Sequence, residues 1–217
     1  MRILSVTSDA YPLVKTGGLA DVAGALPLAL GRQGIEVRTF LPGYPGVMVK
    51  LGGGGQTVHE FPSLLGAPAR ILSAESAGLD LLVLDAPELF DRPFGPYGGP
   101  DGDNEDNWRR FAGFAKAAVE VASGVVSDFQ HQNVHAHDSQ AGLVPAYLRF
   151  YGIPTPSILT IHNLAFQGYF PAHVFSWLDL PPQTFALDGL EYYGGVGFLK
   201  AGLANATALT TVSPTYA

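Results

Sequence analysis

The sequence predicts an α/β domain built on a parallel sheet. Three observations carry that expectation. Short apolar runs with strand character alternate with stretches of helical periodicity: Ile3 to Thr7, Val37 to Leu41, Val134 to His137, Ser157 to His162 and Ala208 to Val212. Many of the 27 glycines and 17 prolines lie near the ends of those runs, where short connecting loops belong. The chain has 217 residues, 47% of them apolar, enough for one large domain with a full core.

Residues 2–7 read as the first buried strand. Leu19, Val22, Ala23, Leu26 and Leu30 then recur at helical spacing. Pro27 falls inside that pattern and is expected to kink or split the helix. Gly31 and Gly34 bracket its end. Val37 to Leu41 is the second strand, closed by Pro42-Gly43, which completes a right-handed βαβ unit. Residues 42–55 read as a loop, with Gly52 to Gly55 its flexible part. Three strand-like runs near 56–61, 68–75 and 79–84 have no helical pattern between them, which predicts a meander extending or flanking the sheet. Residues 85–104, rich in Pro, Gly and Asp, form a long loop of the kind that is usually functional or mobile.

A strong helix follows, with Trp108, Phe111, Ala112, Ala115, Val119, Ala122 and Val126 on one face and acidic residues crowding its first turn. Beyond it we expect a strand ending at His137, a helix at about 139–150 and a strand from Ser157 to His162. Residues 163–186 are irregular and aromatic, before a helix at about 197–205 and a last strand, Ala208 to Val212. Ser213 as N-cap and Pro214 at the first helical position read as a helix start, so the expectation is a truncated chain. There is no internal repeat and no low-complexity linker.

Composition excludes several classes. Cysteine is absent, so there is no disulfide framework. No apolar run is long enough to span a bilayer, and Met1-Arg2-Ile3 enters the first strand without a signal-peptide pattern. A soluble cytoplasmic protein without a membrane partner is expected. The net charge of −7, with only 12 lysines and arginines, argues against a nucleic-acid surface. A diphosphate site must then rest on backbone dipoles and a few placed cations, or on cations supplied from elsewhere.

The stretch Lys15-Thr16-Gly17-Gly18-Leu19-Ala20-Asp21 joins the first strand to the first helix. A helix N-terminus presents free N–H groups and the positive end of its dipole. Glycines let an anion approach that backbone, and Lys15 adds a charge beside it. This reads as a phosphate site, or as a βα turn with two glycines for chain geometry. Both the dinucleotide and the Walker patterns are absent.

His135-Ala136-His137-Asp138 lies where a strand runs into a helix, and His162-Asn163 ends the next strand. In open α/β sheets, ligands bind beyond the carboxyl ends of strands. Lys15, Asp138 and His162 therefore converge on one edge of the sheet. Three readings compete for the histidine–aspartate group. Two histidines and a carboxylate can bind a metal, but Asp138 follows at once and Ser139 comes next, unlike the known hydrolase spacing. Histidines can be core residues satisfied by hydrogen bonds, which is preferred for His135. Asp138 and His162 can position a polar uncharged ligand such as a sugar.

The blocks KTGGLADVAGALPLAL, LPGYP, HAHDSQAGLVPAYL, TIHNLAFQGYF, EYYGGVGFLKAGL and TTVSPTYA run in order from residue 1 to residue 217. Together they resemble bacterial glycogen synthases and plant starch synthases. The resemblance implies a Rossmann-like parallel-sheet domain, the N-terminal half of a two-domain GT-B glycosyltransferase, with the C-terminal nucleotide-binding domain absent. It implies transfer of glucose from ADP-glucose to the non-reducing end of an α-1,4-glucan such as glycogen, with retention. It assigns Asp138 and His162 to the transferred sugar, and Lys15, Gly17, Gly18 and Asp21 to the donor site. Tyr97, Asn163 and Gln167 are candidates for sugar or acceptor contacts, each with a packing or capping alternative. Lys200 is a weaker candidate, and Phe175, Trp177 and Tyr169 are either stacking faces for glucan or a loop cluster. No Asp-x-Asp metal motif occurs, which agrees with transfer without metal or cofactor. The family usually has tryptophan after HAHD, where this sequence has Ser139. Three rival classes remain: a nucleotide-sugar epimerase or hydrolase of similar fold, a non-catalytic glucan-binding module, and a dinucleotide-binding oxidoreductase, the last disfavoured by the missing G-x-G-x-x-G.

Overall fold

The computed structural model describes residues 1–215. Its strands and helices are β1 (Arg2–Val6), α1 (Gly18–Gly31), β2 (Glu36–Pro42), α2 (Pro45–Leu51), β3 (Gln56–Leu64), β4 (Ala67–Ser76), β5 (Leu79–Asp85), α3 (Pro87–Phe90) and α4 (Asn107–Ala122). They continue with β6 (Asn133–His137), α5 (Leu143–Phe150), β7 (Ser157–Ile161), α6 (Phe198–Asn205) and β8 (Ala208–Thr211). The eight strands form one sheet in the order β8-β7-β6-β1-β2-β5-β4-β3. The six from β8 to β5 are parallel, and the β3–β4–β5 meander extends the sheet antiparallel.

Strand order reverses direction at β1. The chain moves one way to β2 and the other way to β6, so β1 and β6 flank the topological switch point. Right-handed crossovers put α1 on one face and the layer of α4, α5 and α6 on the other. The central strands are buried on both faces, as parallel strands must be: Leu81, Leu82, Val83 and Leu84 of β5 are all 0% exposed. On α4, Phe114 stacks on Phe40 of β2, ring centroids 5.1 Å apart.

Several expectations need correction. Pro27 does not split the first helix, which runs unbroken through it. The buried face is also rotated. Ala20, Ala23, Gly24 and Pro27 are buried, while Val22 is exposed and Leu26 and Leu30 are only partly covered. The cause is close approach. The Tyr11 N–H donates to Ala20 O at 2.9 Å, and a Cβ on Gly24 would lie 2.2 Å from Tyr11 O. Small residues, not large apolar ones, therefore face the loop after β1.

Residues 45–51 are helical, not loop. Pro45 starts α2, Gly52 ends it at φ +57, and Val47 is buried against the core, so the start and stop signals were present. The stretch 85–104 holds the short α3 and a small ladder pairing Gly98–Gly99 with Gly102–Asp103. The acidic residues precede α4 and do not occupy its first turn. Val126 lies beyond its end, and residues 139–141 form a 3₁₀ turn before α5. A three-stranded ladder of Tyr169–Phe170, Gly195–Gly197 and Glu191–Tyr192 was not anticipated. Ser213 to Thr215 form a bend and turn; Tyr216 and Ala217, into which the expected helix would run, lie outside the described residues.

Candidate active site

The site gathers at the carboxyl ends of β1, β6 and β7, three adjacent strands. After β1 the chain forms the loop 7–16, braced from every side. Thr7 Oγ1 donates to Asp9 O at 2.8 Å. Lys50 of α2 donates to Leu13 O at 2.8 Å and to Pro12 O. Asp9 is fully buried, and its Oδ2 accepts the Thr16 N–H at 3.0 Å and the Thr16 hydroxyl. Its Oδ1 accepts the Tyr97 hydroxyl at 2.9 Å, and Ser8 Oγ lies 2.7 Å from the same oxygen of Tyr97. Burial, reinforced by the Asp9 charge, pushes the Tyr97 phenol well up, so it stays protonated and can donate. Tyr97 is thus the link between the 91–106 loop and the Lys15 loop.

That bracing delivers Gly17 and Gly18 to the start of α1. No side chain caps this helix. A Cβ on Gly17 or on Gly18 would meet nothing within 4 Å, and Gly17 has an ordinary extended φ of −160. Neither packing nor backbone conformation demands glycine here. What glycine leaves is an open face over the first-turn N–H groups, the condition for close approach of an anion. Lys15 and Asp21 flank that face as an ion pair, Nζ at 2.7 and 2.8 Å from the two carboxylate oxygens, both half-exposed. The Lys15 ammonium lies 5.7 Å from the Tyr11 ring centroid.

Just past β6, Asp138 sits at φ +53 and ψ −168, a strained conformation for a non-glycine residue. Its N–H donates to Thr160 O at 3.0 Å, and its Oδ1 accepts the backbone N–H of His162 at 2.6 Å and of Asn163 at 3.4 Å. Burial pushes its carboxyl up to about 6, against the pull of those two N–H groups. The structure therefore brings Asp138 and His162 into direct contact, as the sequence reading expected of neighbouring strand ends.

The histidines have separate partners. His135 Nε2 lies 2.6 Å from Thr160 Oγ1, in line with the hydrogen-bonded core role preferred for it. His137 Nδ1 lies 3.0 Å from His162 Nε2. Burial lowers all three; His135 falls to about 4, with His162 adding to the effect, so the rings are neutral near pH 7. Among the described residues no group of three His, Cys, Asp or Glu is placed to hold a metal ion.

The remaining candidates are tied locally. Asn163 Oδ1 accepts the Ala165 N–H at 2.9 Å, and Gln167 Nε2 donates to Leu164 O at 2.6 Å. Lys200 donates to Glu191 O, in the three-stranded ladder. Phe175 packs on Phe185 at 5.2 Å, whereas Trp177 and Tyr169 are largely exposed. Ser139 is buried beneath Gly168, where a Cβ would lie 3.0 Å from its own. Sequence reasoning missed Asp9, Thr16, Lys50 and Ser5. For Asp9 a signal existed: a carboxylate three residues past the end of β1, as Asp138 lies one past the end of β6.

A parallel sheet with an open helix N-terminus and a lysine after one strand at its switch point, and a carboxylate bonded to the backbone of the next strand's histidine beside it, defines a Rossmann-like domain of the GT-B glycosyltransferase class. The chain belongs to the starch synthase catalytic domain family, whose model matches residues 2–217. It is 55% identical to glycogen synthase of Mesorhizobium japonicum over 219 residues, covering 100% of this chain and 45% of that protein. It is likewise 55% identical to glycogen synthase of Novosphingobium aromaticivorans, covering 46% of it. The catalytic domain of starch synthase IV from Arabidopsis thaliana, bound to ADP and acarbose, superposes with a TM-score of 0.80 at 25% identity, over 99% of this chain and 45% of that one. The chain thus spans about half the length of the relatives it matches.

Proposed function

We propose that these residues are the N-terminal catalytic domain of an ADP-glucose-dependent glycogen synthase, adding glucose to the non-reducing end of an α-1,4-glucan with retention. The observation that carries this reading is the 2.6 Å contact of Asp138 with the His162 N–H, one strand away from the uncapped helix start at Gly17-Gly18. The names of the relatives and the ADP and acarbose of the Arabidopsis neighbour support it.

In this reading the first-turn N–H groups of α1 and Lys15 stabilise the leaving diphosphate as charge develops on it. Asp21 holds Lys15 in place until a phosphate competes for it. Asp138 Oδ1 is committed to the backbone, so Oδ2 is assigned to a glucose hydroxyl, beside the His162 ring. Tyr97 acts by holding the Lys15 loop through Asp9, and Asn163 and Gln167 shape the acceptor side. The chemistry proceeds without a metal ion or cofactor. A C-terminal domain beyond these residues supplies most donor contacts and closes the cleft against water.

The test is incorporation of labelled glucose from ADP-glucose into glycogen by the full-length protein. Activity unaffected by a chelator is expected. Lys15→Ala should lower kcat by about ten- to a hundredfold, the worth of one charge-assisted contact of roughly 1.5–3 kcal/mol. Residues 1–217 alone should bind glucan weakly and make none. Unchanged kinetics in Lys15→Ala, or synthesis by the fragment at a comparable rate, would refute the assignment. Consumption of ADP-glucose without acceptor would favour a hydrolase.

A further inference from the structure

Nothing so far gives a task to His137. It is 0% exposed and is the last residue of β6, two residues after His135 and so on the same face of the strand. Its Nδ1 lies 3.0 Å from His162 Nε2, and its Nε2 lies 3.3 Å from Ser5 Oγ of β1. His135 does not compete for these positions, because its own Nε2 faces Thr160. Burial, with His135 and His162 beside it, holds His137 well below the ordinary histidine range, so the ring is neutral.

A neutral imidazole has one N–H and one bare nitrogen. The chain Ser5–His137–His162 then has two self-consistent states. In the first, the Ser5 hydroxyl donates to His137 Nε2, His137 Nδ1–H donates to His162 Nε2, and His162 carries its own proton on Nδ1. In the second, each bond reverses and His162 Nδ1 is bare. Ser5 is buried, and His137 is its side-chain partner among the described residues. The second state leaves the Ser5 hydroxyl proton without an acceptor, a cost that a buried donor bears in full. The first state is therefore favoured, with His162 offering an Nδ1–H donor to its ligand.

We propose that His137 is a positioning residue, oriented by Ser5, that fixes the ring of His162 and the nitrogen on which His162 carries its proton. The proposal rests on the reading that His162 meets the transferred sugar. It makes a polar thread through the sheet, from β1 across β6 to β7, part of the transfer machinery.

The experiment is a mutant cycle in the full-length protein, scored by kcat and KM for ADP-glucose. His137→Leu should lower kcat at least tenfold with KM changed less than twofold. His137→Asn, whose amide stands near the Nδ1 position, should restore most of it, and Ser5→Ala should lower kcat severalfold. In a His162→Ala background none of the three should lower kcat further. A loss of the same factor in that background, or an asparagine as poor as leucine, overturns the positioning role. If His137→Leu does not fold, Ser5→Ala in both backgrounds decides the question alone. Full kcat in His162→Ala by itself would instead remove the sugar-contact reading, a result distinct from either.

Discussion

Asp138 holds φ +53, a conformation that costs a non-glycine residue about 1–3 kcal/mol. The strand end supplies the compensation, through the Thr160 carbonyl and the N–H groups of His162 and Asn163. Asp138→Asn keeps an acceptor for those N–H groups and the same backbone. Its unfolding midpoint should stay near that of the parent, while kcat in the full-length protein falls at least tenfold; a large drop in midpoint with full activity per folded molecule would make Asp138 structural. Gly17 and Gly18 permit a complementary prediction. Because a Cβ at either meets open space, Gly17→Ala and Gly18→Ala should change stability by less than about 0.5 kcal/mol yet cut turnover tenfold or more. Thermal melts alongside kinetics check this, and unaltered turnover would mean no ligand touches that backbone. Asp138 and His162 were legible as candidates in the sequence because each directly follows a strand, and Lys15 because it stands just before the glycines that open α1. The Asp9–Tyr97–Thr16 link was not, since it joins segments 88 residues apart.

At the scale of elements, α1 shows where periodicity misleads. Its apolar spacing pointed to Leu19, Val22, Ala23, Leu26 and Leu30; Leu19 and Ala23 are buried, but Ala20, Gly24 and Pro27 fill the rest of the buried face in place of Val22, Leu26 and Leu30. Helix and loop touch backbone to backbone at Tyr11, so any Cβ at 24 must push α1 away. Gly24→Ala should therefore cost about 1–3 kcal/mol, as overpacking does. It should also lower activity by shifting the helix start that carries Gly17. Denaturant unfolding is the measurement, and a neutral or stabilising effect would show that the loop yields freely. The rotation of α1 was hidden because an amphipathic pattern reports apolar surface, not which face can come nearest a neighbour. Helix α2 was hidden for another reason: seven residues are too few for a periodic signal, though Pro45 and Gly52 marked its ends.

The molecule as a whole carries three neutral histidines at one end of its sheet, His137 buried and His135 and His162 half-buried. Each has a folded-state value below its unfolded one, so unfolding takes up protons at acidic pH. Their contribution to stability is complete above about pH 6.5 and is lost as pH falls, for His135 down to about 4. Asp138 works in the opposite sense, because its raised value favours the folded state below about 6. With His131, which burial lowers as well, four groups outweigh one, so the denaturation midpoint of this chain should fall between pH 7 and pH 5, and His135→Gln should flatten the slope. A midpoint independent of pH in that range would mean that the rings are charged in the folded state or open to water. The sequence by itself determined the parallel α/β class, the order of most elements, the family and the residues at the strand ends, because alternation, turn residues and local motifs are properties of short stretches. Only the tertiary structure decided which face of α1 is buried, how the long loop reaches Asp9 and that Ser5, His137 and His162 form one chain. Those depend on strand order and on contacts between distant segments, which no local pattern encodes.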